Sequence, residues 1–361
     1  MAGQLAGADP AWVGLAAEHP SAPGGPTAGM DARDLLCRAR AAAGDPLAAL
    51  ALVGDLDGVP LPGRGRTVEL WSLLASLAAV DLTVARVVEP HLDALAILDQ
   101  SGEQDCAGPG QVWGVYAAHA PGVRLEAVAD ADGVWTLTGT KPWCSLAQHL
   151  THVVVTAHTS PTARRAFAVD LHHPGVSHDD PTGWVSRGLR ELTSVATHYD
   201  AVPARPVGGD DWYLERPGFA WGGIGVAACW YGGAVGLART LAAAGARRAP
   251  DQVALMHLGA VDAGLHAARA VLAEAAAAVD AGRADGADGA LLAARVRGVV
   301  ASVAEDVATR VGHALGPGPL TSDAAHAARS ADLQVYLRQH HAERDDAALG
   351  AQVLAAVSDR P

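Results

Sequence analysis

The stretch Gly133-Val134-Trp135-Thr136-Leu137-Thr138-Gly139-Thr140-Lys141-Pro142-Trp143-Cys144-Ser145 decides how the chain is read. Val134 to Thr140 has the residue types of a β-strand. A strand, a glycine turn at Gly139 and a second strand end in an aromatic two residues before a hydroxyl. Arg124 to Ala129 is strand-like too, and Asp130-Ala131-Asp132-Gly133 between the two runs is a hairpin signal. Further short runs show the same pattern: Val112 to Tyr116, His152 to Thr156, Arg165 to Asp170 and Val195 to Val202. Pro174-Gly175 and Pro181-Thr182-Gly183 punctuate the gaps. Strands this closely spaced predict a small sandwich or barrel over residues 106–215. On the residues alone, the stretch also fits a plain antiparallel pair with a buried Trp143.

Outward from that block the period changes to helical on both sides. Met30 to Ala43 reads as a helix that stops near Gly44-Asp45-Pro46. Thr67 to Gln100 reads as a longer helical region with Thr67 as its N-cap and Glu69 in the first turn. Leu70, Leu73, Leu74, Leu77, Val80, Val84, Val87 and Val88 recur in it at three and four residues. Pro90 either kinks it or begins a second helix. After the β block come a glycine-rich helix near 218–245, then Pro250 to Ala281, then Gly289 to Leu315. The last of these stops at Gly316-Pro317-Gly318-Pro319. Thr321 or Ser322 caps a final helix through Gln339 or beyond. The expected organisation is therefore a flexible tail over 1–29, a helical domain over 30–105, a β domain over 106–215 and a helical domain over 216–361. The fold class is α+β, with an antiparallel barrel or sandwich between an N-terminal helical domain and a C-terminal bundle.

Composition narrows the function. Charged residues are 18% of the 361, below the roughly 25% of ordinary soluble domains, so extensive burial is expected. The formal charge is −13 and no basic run occurs, which argues against nucleic acid as a partner. Lys141 is the only lysine; a coding bias towards arginine accounts for that. Gly218 to Ala238 is 21 residues without a charge, long enough for a membrane span. Its seven glycines instead indicate a buried helix packed closely on a neighbour. Cys37, Cys106, Cys144 and Cys229 form no C-x-x-C pair, so neither a disulfide framework nor a zinc site is expected. His172, His173 and His178 lack ligand spacing, and no metal is expected. Residues 1–29 show no basic n-region or apolar core, and the cytoplasm is the expected compartment.

The stretch ending in Lys141, Trp143 and Ser145, with Val153-Val154-Val155 after it, resembles the acyl-CoA dehydrogenase family of flavoproteins. The helix–strand–helix order is similar to that family's over about residues 67–350. The resemblance implies FAD as cofactor, with Trp143 on the flavin face and Ser145 at the flavin N5 edge. It implies that Val115 and Tyr116 stand on the first flavin strand. It also implies that Gly316 and Gly318 form a turn that approaches the cofactor's pyrophosphate or adenine end. Arg247 and Arg248, after the glycine-rich helix, either meet cofactor phosphates or simply cap a helix C-terminus. A homodimer or homotetramer is implied by the same resemblance, or a hetero-oligomer with a related subunit.

Departures from the family pattern bear on the chemistry. Tyr116 stands where the family has a hydroxyl residue, and its Gly-Ser loop is missing around Ala117-Ala118-His119. That loop helps hold the carrier of an acyl thioester. The family base, a glutamate nine residues after an arginine, falls here on Arg338, counted from Arg329. The alternative position on the first helix after the β block, Gly222 to Cys229, carries no acid. An arginine cannot take a proton from carbon at neutral pH. His340, His341 and Glu343 are the candidate proton carriers, with Arg338 holding a substrate anion. On a continuing helix Arg338 and His341 would share a face with Asp345. Glu89 and His91 are further cavity candidates. The first expectation is a FAD-dependent oxidoreductase acting on a small acyl-type substrate. The alternatives are a flavin monooxygenase of the same fold, since Arg338-Gln339-His340 resembles an arrangement found there, and a degenerate subunit that supports an active partner.

Overall fold

Two aspartates open the first two helices. Asp31 accepts a hydrogen bond from the Arg33 amide at the start of α1, Ala32–Ala41. Asp45 accepts from the Leu47 and Ala48 amides at the start of α2, Pro46–Val53. Each supplies an acceptor to amides that have no partner within the helix, and Pro46 sits where a missing N–H costs nothing. The computed structural model describes residues 5, 11–16, 31–56 and 58–358. It divides into two compact units: residues 1–86, 187–189 and 220–361, and residues 87–186 and 190–219.

The first unit is helical. After its α3, Thr67–Val80, comes α4, Leu82–Ser101, whose first residues belong to this unit. The break falls at Asp81, not at Pro90. Asp81 is extended (φ −160°, ψ 133°), and its carboxylate accepts from the Val84 amide to start α4. Pro90 lies inside α4, which runs through it at the cost of one backbone bond. Thr67 is the first helical residue of α3, and Arg66 holds the cap position without a side-chain bond. The Thr67 hydroxyl instead accepts from the Gly63 amide and donates to Asp280. Asp280 also accepts from the Thr67 amide at 2.9 Å. A carboxylate from the end of another helix thus caps α3.

Residues 11–16 are not part of a free tail. Val13 and Leu15 are fully buried, and their amides donate to the hydroxyls of Ser76 and Ser72 at 2.8 and 3.1 Å. Apart from these and Leu5, the expected tail lies outside the described residues. The two elements α5, Trp212–Glu215, and α6, Pro217–Arg247, come next in helix order. The part of α6 in the helical unit packs against α3 through its glycines. A Cβ on Gly232 would meet the Ala75 carbonyl oxygen at 2.1 Å, so no larger residue permits this approach. Then come α7, Gln252–Asp280, and α8, Gly286–Leu315. Gly316 ends α8 at φ +64°, a conformation that favours glycine. The short α9, Gly318–Ser322, precedes α10, Ala324–Tyr336. The cap of α10 is Asp323, which accepts from the His326 amide, rather than Thr321 or Ser322, whose hydroxyls bond back into α9. No helix among the described residues is long and apolar enough to cross a membrane.

The second unit is built on a closed barrel. Its strands are β1 Trp113–Tyr116, β2 Leu125–Ala129, β3 Trp135–Ser145, β4 His152–His158, β5 Arg164–Asp170, β6 Val176–His178 and β7 Ser194–Val207. The ring β4–β2–β3–β7–β5 closes because β5 pairs back onto β4, while β1 attaches to β4 and β6 to β7. The Asp130 carboxylate ties the β2–β3 hairpin by accepting from the Asp132 and Val134 amides. Gly139 is not a turn. It lies within β3 at φ +121°, where a Cβ would meet the Arg124 carbonyl oxygen at 2.4 Å, so the strand passes a close backbone contact and continues to Ser145. Trp113, Val154, Ala166 and Val207 from the strands pack with Ile97, Leu98 and Tyr213.

Lys141 points into this unit. It is buried, and its ammonium donates to the carbonyl and the hydroxyl of Thr156 on β4, both at 2.8 Å. Burial pulls its pKa down to about 7. Above about pH 7 the folded chain has lost this proton while the unfolded chain keeps it. Stability therefore rises with pH from about 7 towards the ordinary lysine value. Cys144, pushed up to about 11 by burial, acts in the opposite sense above about pH 9. In urea unfolding between pH 7 and 9, the wild-type stability is expected to climb relative to Lys141→Met. Parallel pH profiles for the two proteins would contradict the lowered Lys141 pKa.

Candidate functional site

The strand β3 carries a one-residue bulge. Lys141 pairs with Thr197 and Cys144 with Val195, so three steps on β3 face two on β7. Both Lys141 and Cys144 point inward and are buried. The residue between them and next to Cys144, Trp143, is thrown outward. It sits at φ 59° with 60% of its surface exposed. A bulky residue in the left-handed region is uncommon and persists only where its surroundings enforce it. The alternative of a buried Trp143 is overturned. Two residues on, the Ser145 hydroxyl lies 2.7 Å from that of Ser194. The Ser145 carbonyl accepts from the Tyr116 hydroxyl at 3.0 Å. Burial pushes the Tyr116 phenol well above its ordinary value, so it stays a donor. Tyr116, half-buried Val115, Ser145 and Trp143 thus belong to one region of the barrel.

The C-terminal cluster is arranged differently from the expected continuing helix. After α10 a single tight turn covers Leu337–Gln339, His340 is extended, and Ala342 is left-handed at φ 48°. The helix α11, Glu343–Ser358, starts anew. Arg338 is exposed and paired with Glu305. His341 is exposed; its amide donates to Asp345 at 3.0 Å and its Nδ1 lies 3.3 Å from the same carboxylate. Glu343 is exposed in the first turn of α11. His340 alone of the four turns inward, with 11% of its side chain exposed. Its Nδ1 accepts from the Ala342 amide and its Nε2 stands 3.8 Å from Asp345. Burial works to raise the Asp345 carboxyl, but its bonds from His341 and the nearby imidazoles hold it below the ordinary value.

His340 also stands edge-on to the buried ring of Trp230 at 6.2 Å. Tyr336 meets the same ring edge-on at 6.3 Å, and the Arg297 guanidinium lies over it at 4.7 Å. Gly316 caps the end of α8, and Gly318 opens α9. Arg247, exposed at the end of α6, donates to the Ala243 carbonyl of its own helix, which suits a helix C-terminus.

One polar cluster carries no motif in the sequence. In the barrel unit Arg216 is buried, donates to Gln100 at 2.7 Å, stands 3.8 Å from Asp93 and lies over the Tyr213 ring at 5.3 Å. Burial raises the Asp93 carboxyl above its ordinary value against the pull of Arg216. Buried Glu89 stands four residues before Asp93 on α4, and that i,i+4 spacing is the one signal of the cluster in the chain. His91 accepts from the Trp113 amide at 3.2 Å, a structural tie to β1. Among the described residues no group of three or more His, Cys, Asp or Glu is placed to hold a metal ion.

Residues 212–341 match the family of the acyl-CoA dehydrogenase C-terminal domain. No curated protein sequence matches the chain. Among solved structures, KijD3 in complex with FMN and a dTDP-linked amino-keto sugar is 21% identical, with a TM-score of 0.76 over 89% of this chain and 91% of that one. FMN-bound TdsC from Paenibacillus sp. A11-2, a dibenzothiophene monooxygenase, is 17% identical, with a TM-score of 0.73 over 90% and 96%. Butyryl-CoA dehydrogenase from Megasphaera elsdenii is 16% identical, with a TM-score of 0.73 over 89% and 97%. The chain therefore has the acyl-CoA dehydrogenase fold, with the helix–barrel–helix order expected from its sequence.

The Tyr116 hydroxyl is the tie between β1 and the end of β3. Tyr116→Phe is expected to cost roughly 0.5–1.5 kcal/mol, the usual worth of one neutral hydrogen bond, in urea unfolding. A stability equal to wild type would show that this bond does not hold the end of β3.

Proposed function

We propose that the chain is a flavin-dependent oxidoreductase whose β3 bulge receives the flavin ring. The observation that carries the reading is Trp143, held outward by the bulge with its face exposed, two residues before a hydroxyl. An exposed indole on a rigid strand fits a planar aromatic ring, against which it packs and from which it excludes water. The Ser145 hydroxyl is free to donate to the N5 edge, without adding charge, when Ser194 turns its proton from the Leu192 carbonyl to Ser145. Bound there, a flavin supplies two-electron chemistry, taking a hydride from a substrate or, once reduced, activating oxygen. FAD and FMN both fit this reading, since the two differ away from the ring; KijD3 and TdsC are bound to FMN in the structures that resemble this one.

Oxygenation is favoured over acyl-CoA dehydrogenation. Arg338 stands at the position of the family base and its guanidinium is paired with Glu305, so no carboxylate is offered there. His340 is the proton carrier of the cluster in this reading: it is the inward-facing member, its Nδ1 is held by a backbone amide, and its Nε2 faces the Asp345 carboxylate, with which it can exchange a proton. Arg338, His341 and Glu343 surround it at the surface, where Arg338 meets an anionic group of a small-molecule substrate. Arg247, Gly316 and Gly318 are assigned to the phosphate-bearing end of the cofactor. The same proposal takes the chain to be a cytoplasmic homodimer or homotetramer.

Flavin fluorescence on titration with the purified chain tests the ring site. Wild type is expected to quench FAD or FMN, and Trp143→Ala to bind roughly tenfold more weakly, as loss of an aromatic packing surface worth about 1.4 kcal/mol requires. Equal affinities would remove Trp143 from the site. Oxygen uptake by the reduced, flavin-loaded chain, set beside dye reduction with a panel of acyl-CoA thioesters, separates the two chemistries. Oxygen uptake without dye reduction is expected, and thioester-driven dye reduction would restore the dehydrogenase reading. Once a substrate is found, His340→Gln is expected to slow turnover about 10²-fold, the scale of a lost acid–base group, and an unchanged rate would exclude His340.

A further inference from the structure

The helical unit contains a second constellation, of which the flavin reading uses Arg247 alone. An open cavity of about 680 Å³ lies among the end of α1, the end of α3, the C-terminal half of α6 and the first turns of α10. Its lining includes Arg40, Arg239, Arg247 and Arg329. The lining carboxylates are Asp81 and Asp323, and each is engaged by a helix amide, that of Val84 and that of His326. Much of the remaining wall is alanine, which leaves space and little competing chemistry.

Structural duties account for part of this arrangement. Arg329 donates to the Val80 carbonyl at 2.9 Å and so caps the end of α3. Arg239 donates to the Ala11 carbonyl at 2.8 Å and helps dock residues 11–16. They do not account for the crowding of like charge. Burial and the nearby Arg329 pull the Arg239 pKa down to about 10. Burial also lowers that of Arg329, with Arg40 adding to the effect against Asp81, Asp323 and Asp332. The Arg329 Nε is buried without a hydrogen-bond partner. It lies against Gly236 of the cavity wall, where an added Cβ would come within 2.6 Å of it. A wall residue without a side chain thus makes room for a guanidinium edge that the protein itself leaves unbonded. An unbonded, buried donor on a charged group adds to the electrostatic cost of this wall.

We infer that this cavity is a binding site for a phosphate-bearing small molecule, held between Arg40, Arg239 and Arg329. Guanidinium groups bind phosphate oxygens through paired, charge-assisted bonds, and an anion placed between them relieves their mutual repulsion. The volume falls within the roughly 300–1,000 Å³ of ordinary small-molecule sites. It exceeds the needs of inorganic phosphate and suits a diphosphate or a phosphomonoester with an organic part. The inference rests on Arg40, Arg239 and Arg329, none of which the flavin reading uses.

Inorganic pyrophosphate is the probe. Isothermal titration of the full chain at constant ionic strength is expected to show binding that weakens at least tenfold in Arg239→Gln and in Arg40→Glu. Arg40 is exposed, so its charge reversal leaves the fold in place even where changes at the more buried arginines do not. Arg165→Gln, on the barrel, is expected to bind as wild type. Riboflavin and FMN titrated against the same variants separate the sources of the phosphate. A loss of FMN but not riboflavin affinity in Arg239→Gln identifies the flavin's own phosphate as ligand. FMN affinity that does not change, beside lost pyrophosphate binding, identifies a free phosphorylated compound. No binding of pyrophosphate by wild type, or equal binding by wild type, Arg239→Gln and Arg40→Glu, overturns the proposal.

Discussion

The geometry of the barrel depends on burying one ammonium group. Lys141 reaches from β3 to the Thr156 carbonyl and hydroxyl on β4, and a charge-capable group inside a barrel has to be bonded to be tolerated. Its inward position, and that of Cys144 three residues later, cannot both be met by regular alternation along a strand. The bulge resolves the conflict by inserting one residue against β7. Trp143 is displaced outward in a left-handed conformation, and Ser145 is returned to register beside Ser194. A buried anchor thus sets the direction of an exposed aromatic, and the same anchor explains why the left-handed Trp143 persists.

The helical unit obeys a different constraint, the closeness of α6 to α3. Gly232 permits backbone contact with Ala75, and Gly236 makes room for Arg329. That approach brings arginines from separate helices to the wall of one cavity. The cost of crowding them is partly met by a helix end: Arg329 bonds the last carbonyl of α3, where the helix dipole favours a cation. The rest is the electrostatic deficit that an anionic ligand completes. At the C-terminus, the left-handed Ala342 separates α10 from α11 and so decides which histidine turns inward. His340 faces the Trp230 ring, while His341 stays at the surface with Asp345.

Element types and their order are legible in the sequence because they rest on local signals: period, turn residues and glycine–proline stops. The hairpin at Asp130–Gly133 and the helix stop at Gly316 are of this kind. The misplaced details depend on partners distant in the chain. Thr67 has the chemistry of an N-cap, but Asp280 takes that role from a residue more than two hundred positions away. Gly139 has the chemistry of a turn, but its freedom serves a close pass of the Arg124 carbonyl. Pro90 has the chemistry of a helix breaker, but the break falls at Asp81, whose carboxylate caps α4. Trp143 and Ser145 are legible as a pair through a family resemblance, but the outward direction of Trp143 requires the bulge. The Asp93–Arg216 cluster and the arginine cavity are not legible, since each joins residues that only packing brings together.

The central claim is that the β3 bulge receives a flavin ring. A crystal structure of the chain grown with FAD or FMN tests it most directly. The account predicts the ring packed on the Trp143 indole, with its N5 edge within hydrogen-bond distance of the Ser145 hydroxyl. A flavin bound away from β3, or no flavin bound from a saturating solution, would contradict it.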